Sequence, residues 1–500
     1  MSLLRTKTIE ASMAAADEPD HHLKRRLTAL DLVVFGVGVV IGAGIFTVTG
    51  RAAQQYAGPA VTLSFILAAV VCAFAAMCYA EFASTVPVSG SAYTFSYATL
   101  GEFIAWVIGW DLILELMLGA SVVAQGWSAY VEILLGRFGI EIPAPVAPGS
   151  HFDLGAFLLV AVLALLVAKG IKESLRVNLV LVAIKVLIVL FVIVAGAGFV
   201  NSANWSPFIP PSAPNAPAAQ GIHAPVLQVI TGMTPATYGV MGIMSAAALV
   251  FFAYIGFDVV ATTAEEAKNP QRSLPIGILG SLAICTVLYV AVALVITGMV
   301  PFGQIDPQGA LAAAFEQVGQ DGYATLIAAG AVAGLTTVVM TLIIGTTRVV
   351  FAMSRDRLLP AGLGVTSQRT GTPVRLTFLV GGVIALVASL TPVGRLEEMV
   401  NIGTLTAFVL VSLAVPILRK RRPDLKRGFV VPWNPVLPWL SAALCTYLIL
   451  NLSIETWLRF LLWMAVGVVI YFAYSRSHSR LATGEREARL ADTPRVLDVD

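Results

Sequence analysis

Long apolar runs alternate along the chain with short polar stretches, and the runs recur at lengths of about 17 to 25 residues. A bilayer core about 30 Å thick requires roughly 20 residues of helix per crossing, so each run predicts one membrane-spanning helix. The pattern gives twelve spans: 30–50, 58–83, 103–128, 154–170, 177–200, 242–264, 274–300, 323–353, 375–392, 398–418, 434–452 and 456–475. The expected fold class is therefore an all-α membrane protein.

Two of these runs are interrupted. Span 1 contains VVIGAGIFTVTG, residues 39–50, with Gly42, Gly44 and Gly50. Each glycine costs a helix about 1 kcal/mol relative to alanine. Unwinding there frees peptide groups that lipid cannot satisfy, which is tolerable only where the backbone is buried or lines a cavity. Span 6 reads SAAALVFFAYIGFDVVATTAEEAKNP, with Gly256 at mid-span and Asp258 just after it. A lone G-x-G is explained by close helix packing. Matching interruptions in two halves of a chain point instead to a transport site between two five-helix repeats of opposite topology, with helices 1 and 6 broken. Freed N–H groups suit a carboxylate and freed carbonyls an ammonium, so a zwitterion satisfies both.

Composition agrees with a membrane protein. Of the 500 residues 58% are hydrophobic and only 12% charged, and mean hydropathy is +0.86, far from a soluble domain. The basic residues set orientation. Arg51, Arg137, Arg395 and Arg459 fall in outside loops and Lys185 inside a span, while the rest of the 31 Lys and Arg lie on the inner side, most densely in RKRRPDLKR, residues 419–427. The net charge of +2 thus reports topology and gives no reason to expect nucleic acid binding. Span 1 follows His21, His22, Lys24, Arg25 and Arg26 without a small-residue cleavage site after it, and reads as an uncleaved anchor.

The expected organisation is a cytoplasmic tail (1–28), a first repeat (29–200), an external Pro-rich loop (201–241), a second repeat (242–420), helices 11 and 12 (421–476) and a cytoplasmic tail (477–500). Both tails are expected to be mobile, and the multi-pass chain to sit in the cell (inner) membrane. Cys72, Cys78, Cys285 and Cys445 all fall in spans, with no disulfide framework or metal-binding spacing. No metal and no cofactor are expected.

Three further groups carry possible chemistry. Lys185 lies nine residues beyond Arg176, roughly 13 Å deeper along its helix. It can snorkel, pair with a carboxylate, or exchange a proton. Asp111 and Glu115 are spaced i, i+4 on span 3 and share a face. Glu115 can hold a cationic ligand side chain, pair with Lys185, or stay protonated. Phe251 and Phe252 precede the second break, where spacing alone reads them as packing residues and proximity makes Phe252 a candidate gate.

Four stretches carry a family resemblance: GVGVVIGAGIF, YAEFASTVPVSGSAYTFSYATLGEFIAWVIGWDLILE, FFAYIGFDVVATTAEEAKNPQRSLP and TTRVVFAMSRDRLLP. With them the chain resembles the amino acid, polyamine and organocation transporter superfamily, in the prokaryotic form of its cationic amino acid transporter branch. The resemblance implies a LeuT-like 5+5 inverted repeat plus two additional helices. It also implies that Ile41, Gly42, Ala43 and Gly44 cradle a substrate carboxylate, while Phe252, Ala253 and Ile255 take the α-ammonium or close over it. Lys185 matches the lysine that replaces a structural sodium ion in sodium-independent members, which makes it the proton-coupling residue. No cysteine lies in the loop of residues 136–153, so no disulfide-linked accessory subunit is expected.

The function expected is proton-coupled, sodium-independent import of cationic or small neutral L-amino acids by alternating access. An obligate amino acid exchanger would use the same site without a titrating Lys185. A membrane-embedded sensor would need an appended signalling domain, for which the tails are short. An enzyme is not expected, since no transmembrane Ser-His or Asp pair with supporting groups stands out.

Overall fold

Each apolar run is helical in the computed structural model, which describes residues 27–42, 44–85, 93, 96–97, 100–170, 175–214, 216, 219–307, 309–365, 367 and 372–484. The main helices are α1 (Ala29–Val40), α2 (Val61–Thr85), α3 (Glu102–Arg137), α4 (Leu154–Ala168), α5 (Leu175–Ala197), α6 (Gly239–Val250), α7 (Pro270–Met299), α8 (Asp321–Arg355), α9 (Val374–Leu390), α10 (Val393–Arg421), α11 (Val436–Leu450) and α12 (Ile454–Ile470). Among the described residues, eight helical segments are long and apolar enough to cross a membrane, and α1, α4, α9 and α11 are shorter apolar helices.

Local sequence explains where several helices start. Thr28 accepts from the Asp31 amide while Asp31 Oδ2 accepts from the Thr28 amide at 2.8 Å, a capping box that opens α1. Asp153 accepts from the Ala156 amide at 2.9 Å and opens α4. Pro270 takes the first position of α7, where its missing N–H has no partner to lose.

The bundle is built around α3, most of which is buried, with α8 and α10 its most extensive neighbours. By contrast α5 and α12 expose large apolar faces, including Leu187, Val194, Leu462 and Val469. Such faces suit lipid, where apolar contact with the solvent has no cost. Buried hydroxyls along the spans bond back to carbonyls four residues earlier, as Thr347 does to Ile343 at 2.8 Å and Ser354 to Val350 at 2.8 Å.

Two helices differ from the apolar-run reading. α3 continues to Arg137, past residue 128, and Arg137 bonds Glu316 at 2.5 Å and Asp321 at 3.2 Å. α10 begins at Val393, before residue 398, because Glu397 is paired inside the protein and does not end the helix. The segment expected as an extended loop also holds a short helix, Val226–Ile230, and an antiparallel pair of two-residue strands, β1 (Ala213–Pro214) and β2 (Ala236–Thr237).

One end of the bundle is closed by the C-terminal region. Glu102 is fully buried and accepts from Tyr471 Oη at 3.1 Å and Ser479 Oγ at 2.8 Å. The Arg480 amide donates to the Asp356 carbonyl at 3.1 Å. Residues 477–484 are therefore packed on the bundle, and the expected mobile tail does not include them. At this same end Glu81 accepts from Arg419 and, at 2.7 Å, from the Val431 amide, which ties the segment after α10 to α2.

Candidate functional site

The first interruption lies where the glycines place it. α1 stops at Val40, Ile41 and Gly42 form a bend, and the chain resumes as a π-helical turn over Gly44–Val48. Ala43 lies outside the described residues. The last carbonyls of a helix have no intrahelical partner, and here neighbouring elements supply most of the donors. The Ile41 amide bonds Val37 O at 2.9 Å, Lys185 Nζ bonds Gly38 O at 2.9 Å, and Tyr289 Oη bonds Val40 O at 2.7 Å. Beyond the bend, Tyr130 Oη donates to Phe46 O at 2.7 Å.

The second interruption follows α6. A 3-10 turn, Phe251–Tyr254, leads to Ile255 in extended conformation and Gly256 at φ +118°, a backbone state that favours glycine. A further 3-10 stretch begins at Asp258, whose Oδ1 accepts from the Gly256 amide at 3.2 Å. Asn401 on α10 donates to both Ala248 O, at 2.9 Å, and Leu249 O, at 3.0 Å.

The two interruptions touch. A Cβ placed on Gly44 would fall on the Cα of Ala253, and one placed on Gly256 would lie 2.8 Å from Val39 Cγ1. Gly44, Phe252 and Ala253 are buried together with Ile41, and Ile255 is half-buried. A Cβ on Gly42 would instead make ordinary contact with Val338, at 3.6 Å.

Beside the second interruption the structure gathers carboxyl groups. Asp111, Glu115 and Asp258 are all buried, and Glu115 lies within electrostatic reach of the other two. Neither oxygen of Asp111 has a hydrogen-bond partner among the described residues, and its Oδ1 lies close to Gly403. Asp111 and Glu115 are both buried on α3, four residues apart, and Asp258, which in the sequence reads only as a charge after a glycine, joins them.

Other participants have no sequence signal of their own. Tyr130, Tyr289 and Asn401 look like ordinary span residues until folding brings them to the freed carbonyls. A cavity of about 590 Å³ lies at the opposite end of the bundle from Glu102, lined by Arg51, Tyr56, His223, Tyr238, Glu398 and Arg459 among others. Arg51 is buried and pairs with Glu397 on α10 at 2.5 Å. His223 Nδ1 lies 3.1 Å from Glu455. In the sequence Arg51 reads as an orientation charge, although an arginine so near an apolar run is itself a cue to a buried partner.

Comparison with known proteins gives a consistent picture. Residues 27–472 match the family model described as amino acid permease. The chain is 47% identical over 491 residues to the branched-chain amino acid permease BcaP of Bacillus subtilis (strain 168), covering 96% of this chain and 99% of that one. It is 44% identical over 486 residues to the methylthioribose transporter of the same organism, again covering 96% and 99%. It is 31% identical over 599 residues to the vacuolar cationic amino acid transporter 4 of Arabidopsis thaliana, covering 96% of each. The chain belongs to the amino acid permease family, within the amino acid, polyamine and organocation transporter superfamily.

Proposed function

We propose that this protein is a secondary active amino acid transporter, sodium-independent and proton-coupled, that works by alternating access between two inverted five-helix repeats. The observation that carries this reading is the direct contact of two interrupted helices, Gly44 on Ala253, at a place where peptide groups leave regular helix. In this reading α1 to α5 and α6 to α10 are the repeats, α11 and α12 are additional, and both termini are cytoplasmic. Ile41, Gly42, Ala43 and Gly44 hold the substrate carboxylate. Phe252, Ala253 and Ile255 receive its ammonium, and Phe252 closes over it.

Lys185 is the coupling residue. Its ammonium donates to a freed carbonyl of α1, the kind of group that would otherwise coordinate a cation. Protonated, it holds the end of α1; without that charge the bond weakens, so the two protonation states favour different arrangements of α1. That difference is what coupling requires.

Neutral apolar amino acids are the favoured substrates, on the strength of the branched-chain permease at 47% identity. Cationic amino acids are the second reading, favoured by Asp111, Glu115 and Asp258 beside the break. A thermal-shift screen of the purified protein separates them, since a ligand of the folded state raises apparent stability. Leucine, isoleucine and valine are expected to stabilise it more than lysine and arginine. The reverse order would establish the cationic reading, and a shift with methylthioribose alone would sink both.

Lys185→Ala is expected to lower proton-gradient-driven accumulation in proteoliposomes by about tenfold or more while some exchange persists, since it removes the charge whose two protonation states favour different arrangements of α1. Accumulation equal to that of the native protein would remove Lys185 from the coupling mechanism.

A further inference from the structure

The two helix interruptions are braced by side chains at matching places. Lys185 on α5 donates to the carbonyl of Gly38, two residues before α1 ends, and Asn401 on α10 donates to that of Ala248, two residues before α6 ends. The chain separations are nearly equal, at 147 and 153 residues. α5 and α10 are the fifth helices of the proposed repeats, so the two braces are counterparts. Their chemistry differs in one respect: an ammonium can lose its proton, whereas an amide keeps its two N–H donors throughout.

Asn401 is fully buried, and its Oδ1 has no hydrogen-bond partner among the described residues. The amide is therefore oriented by its donor side, which grips two adjacent carbonyls that neither lipid nor water reaches.

We propose that Asn401 is a positioning residue that binds the end of α6, with Phe252 and Ala253 beyond it, to α10 as one unit in every state of the cycle. Proton-linked movement is thereby confined to the end of α1. This second statement rests on the reading of Lys185 given above; the first does not.

Three variants test it in proteoliposomes, by leucine counterflow without a proton gradient, or arginine counterflow if arginine stabilises the protein more. Asn401→Ala has no donor and is expected to lower turnover about tenfold. Asn401→Ser keeps one donor and is expected to fall between. In Asn401→Asp the carboxyl donates only when protonated, so turnover is retained at acid pH and lost as pH rises from about 5 to about 8, beyond any slope of the native protein. The elements packed against α10 also carry titratable and charged groups, among them Cys72, Cys78, Tyr79 and Glu81 on α2, Asp111 and Glu115 on α3, Tyr254 after α6, Cys445 and Tyr447 on α11, and Glu455 and Arg459 on α12. They are common to the native protein and to Asn401→Asp, so the difference between the two profiles reports the new carboxyl.

A merely structural role would lower yield and melting temperature in all three variants with no difference in pH profile. Parallel profiles for Asn401→Asp and the native protein would overturn the proposal, as would native turnover in Asn401→Ala. If Asn401→Ala does not purify, Asn401→Ser and Asn401→Asp decide the matter. Lys185→Ala is measured alongside: normal gradient-driven accumulation there would defeat the coupling reading alone, because the Asn401 series is read without a gradient.

Discussion

Gly44→Ala is expected to reduce transport to background while the protein still inserts and purifies as a single species. The added methyl would meet Ala253 at its Cα, 2.5 Å from its Cβ and 3.0 Å from its amide nitrogen. Backbone atoms cannot rotate aside, so the two interruptions must separate. Overpacking of this kind costs about 1–3 kcal/mol in a well-packed interior, and here the displaced groups are the proposed ligand-binding ones. Gly119→Ala on α3 is the control: its methyl would make ordinary contact with the Leu342 side chain, at 3.6 Å, and a much smaller loss is expected. Adding Ala253→Gly to Gly44→Ala should restore little, because the Cα remains in the way. Uptake by proteoliposomes checks all three, and native rates in Gly44→Ala would dissociate this contact from function.

Glu397→Ala is expected to be the most destabilising single change at the Arg51 end of the bundle. Arg51 and Glu397 are both buried and 2.5 Å apart, with the guanidinium lying against Gly394. Removing one partner of a buried ion pair typically costs about 3–5 kcal/mol, because the remaining charge is stranded, whereas replacing both by apolar residues is often close to neutral. Melting in detergent should therefore rank Glu397→Ala and Arg51→Ala well below native, and Arg51→Met with Glu397→Leu near it. A double variant less stable than either single would show that the pair is not the source of the effect. Since the pair joins the segment after the first interruption to α10, the double variant separates folding from transport: normal melting with altered uptake would assign the pair a role in movement.

The interruptions were legible in the sequence because their cause is local. Gly42, Gly44 and Gly256 weaken helix wherever they stand, and apolar flanks say at what depth. The helical character of the apolar runs follows from an equally local rule of length. What holds the interruptions could not be read this way. Tyr130, Tyr289 and Asn401 act on carbonyls 84, 249 and 153 residues away in the chain, and nothing near a tyrosine or an asparagine announces such a partner. Helix ends failed for a related reason. An apolar count stops at Glu397, but a carboxylate whose arginine arrives from another segment lets the helix continue. Asp258 was visible as a charge after a glycine; its place beside Glu115 required the fold.

The carboxylate of Glu102 shows how late such partners can come. Two of its donors, Tyr471 and Ser479, lie 369 and 377 residues further along. At synthesis rates of about 5–20 residues per second, that gap lasts roughly 20 to 75 s. Throughout this interval the carboxylate has Tyr97, five residues earlier, as a donor at 3.3 Å, while the two later hydroxyls are not yet made. Full closure of this end of the molecule therefore waits for residues 471–479, and a chain cut short before residue 471 would lack both of these donors.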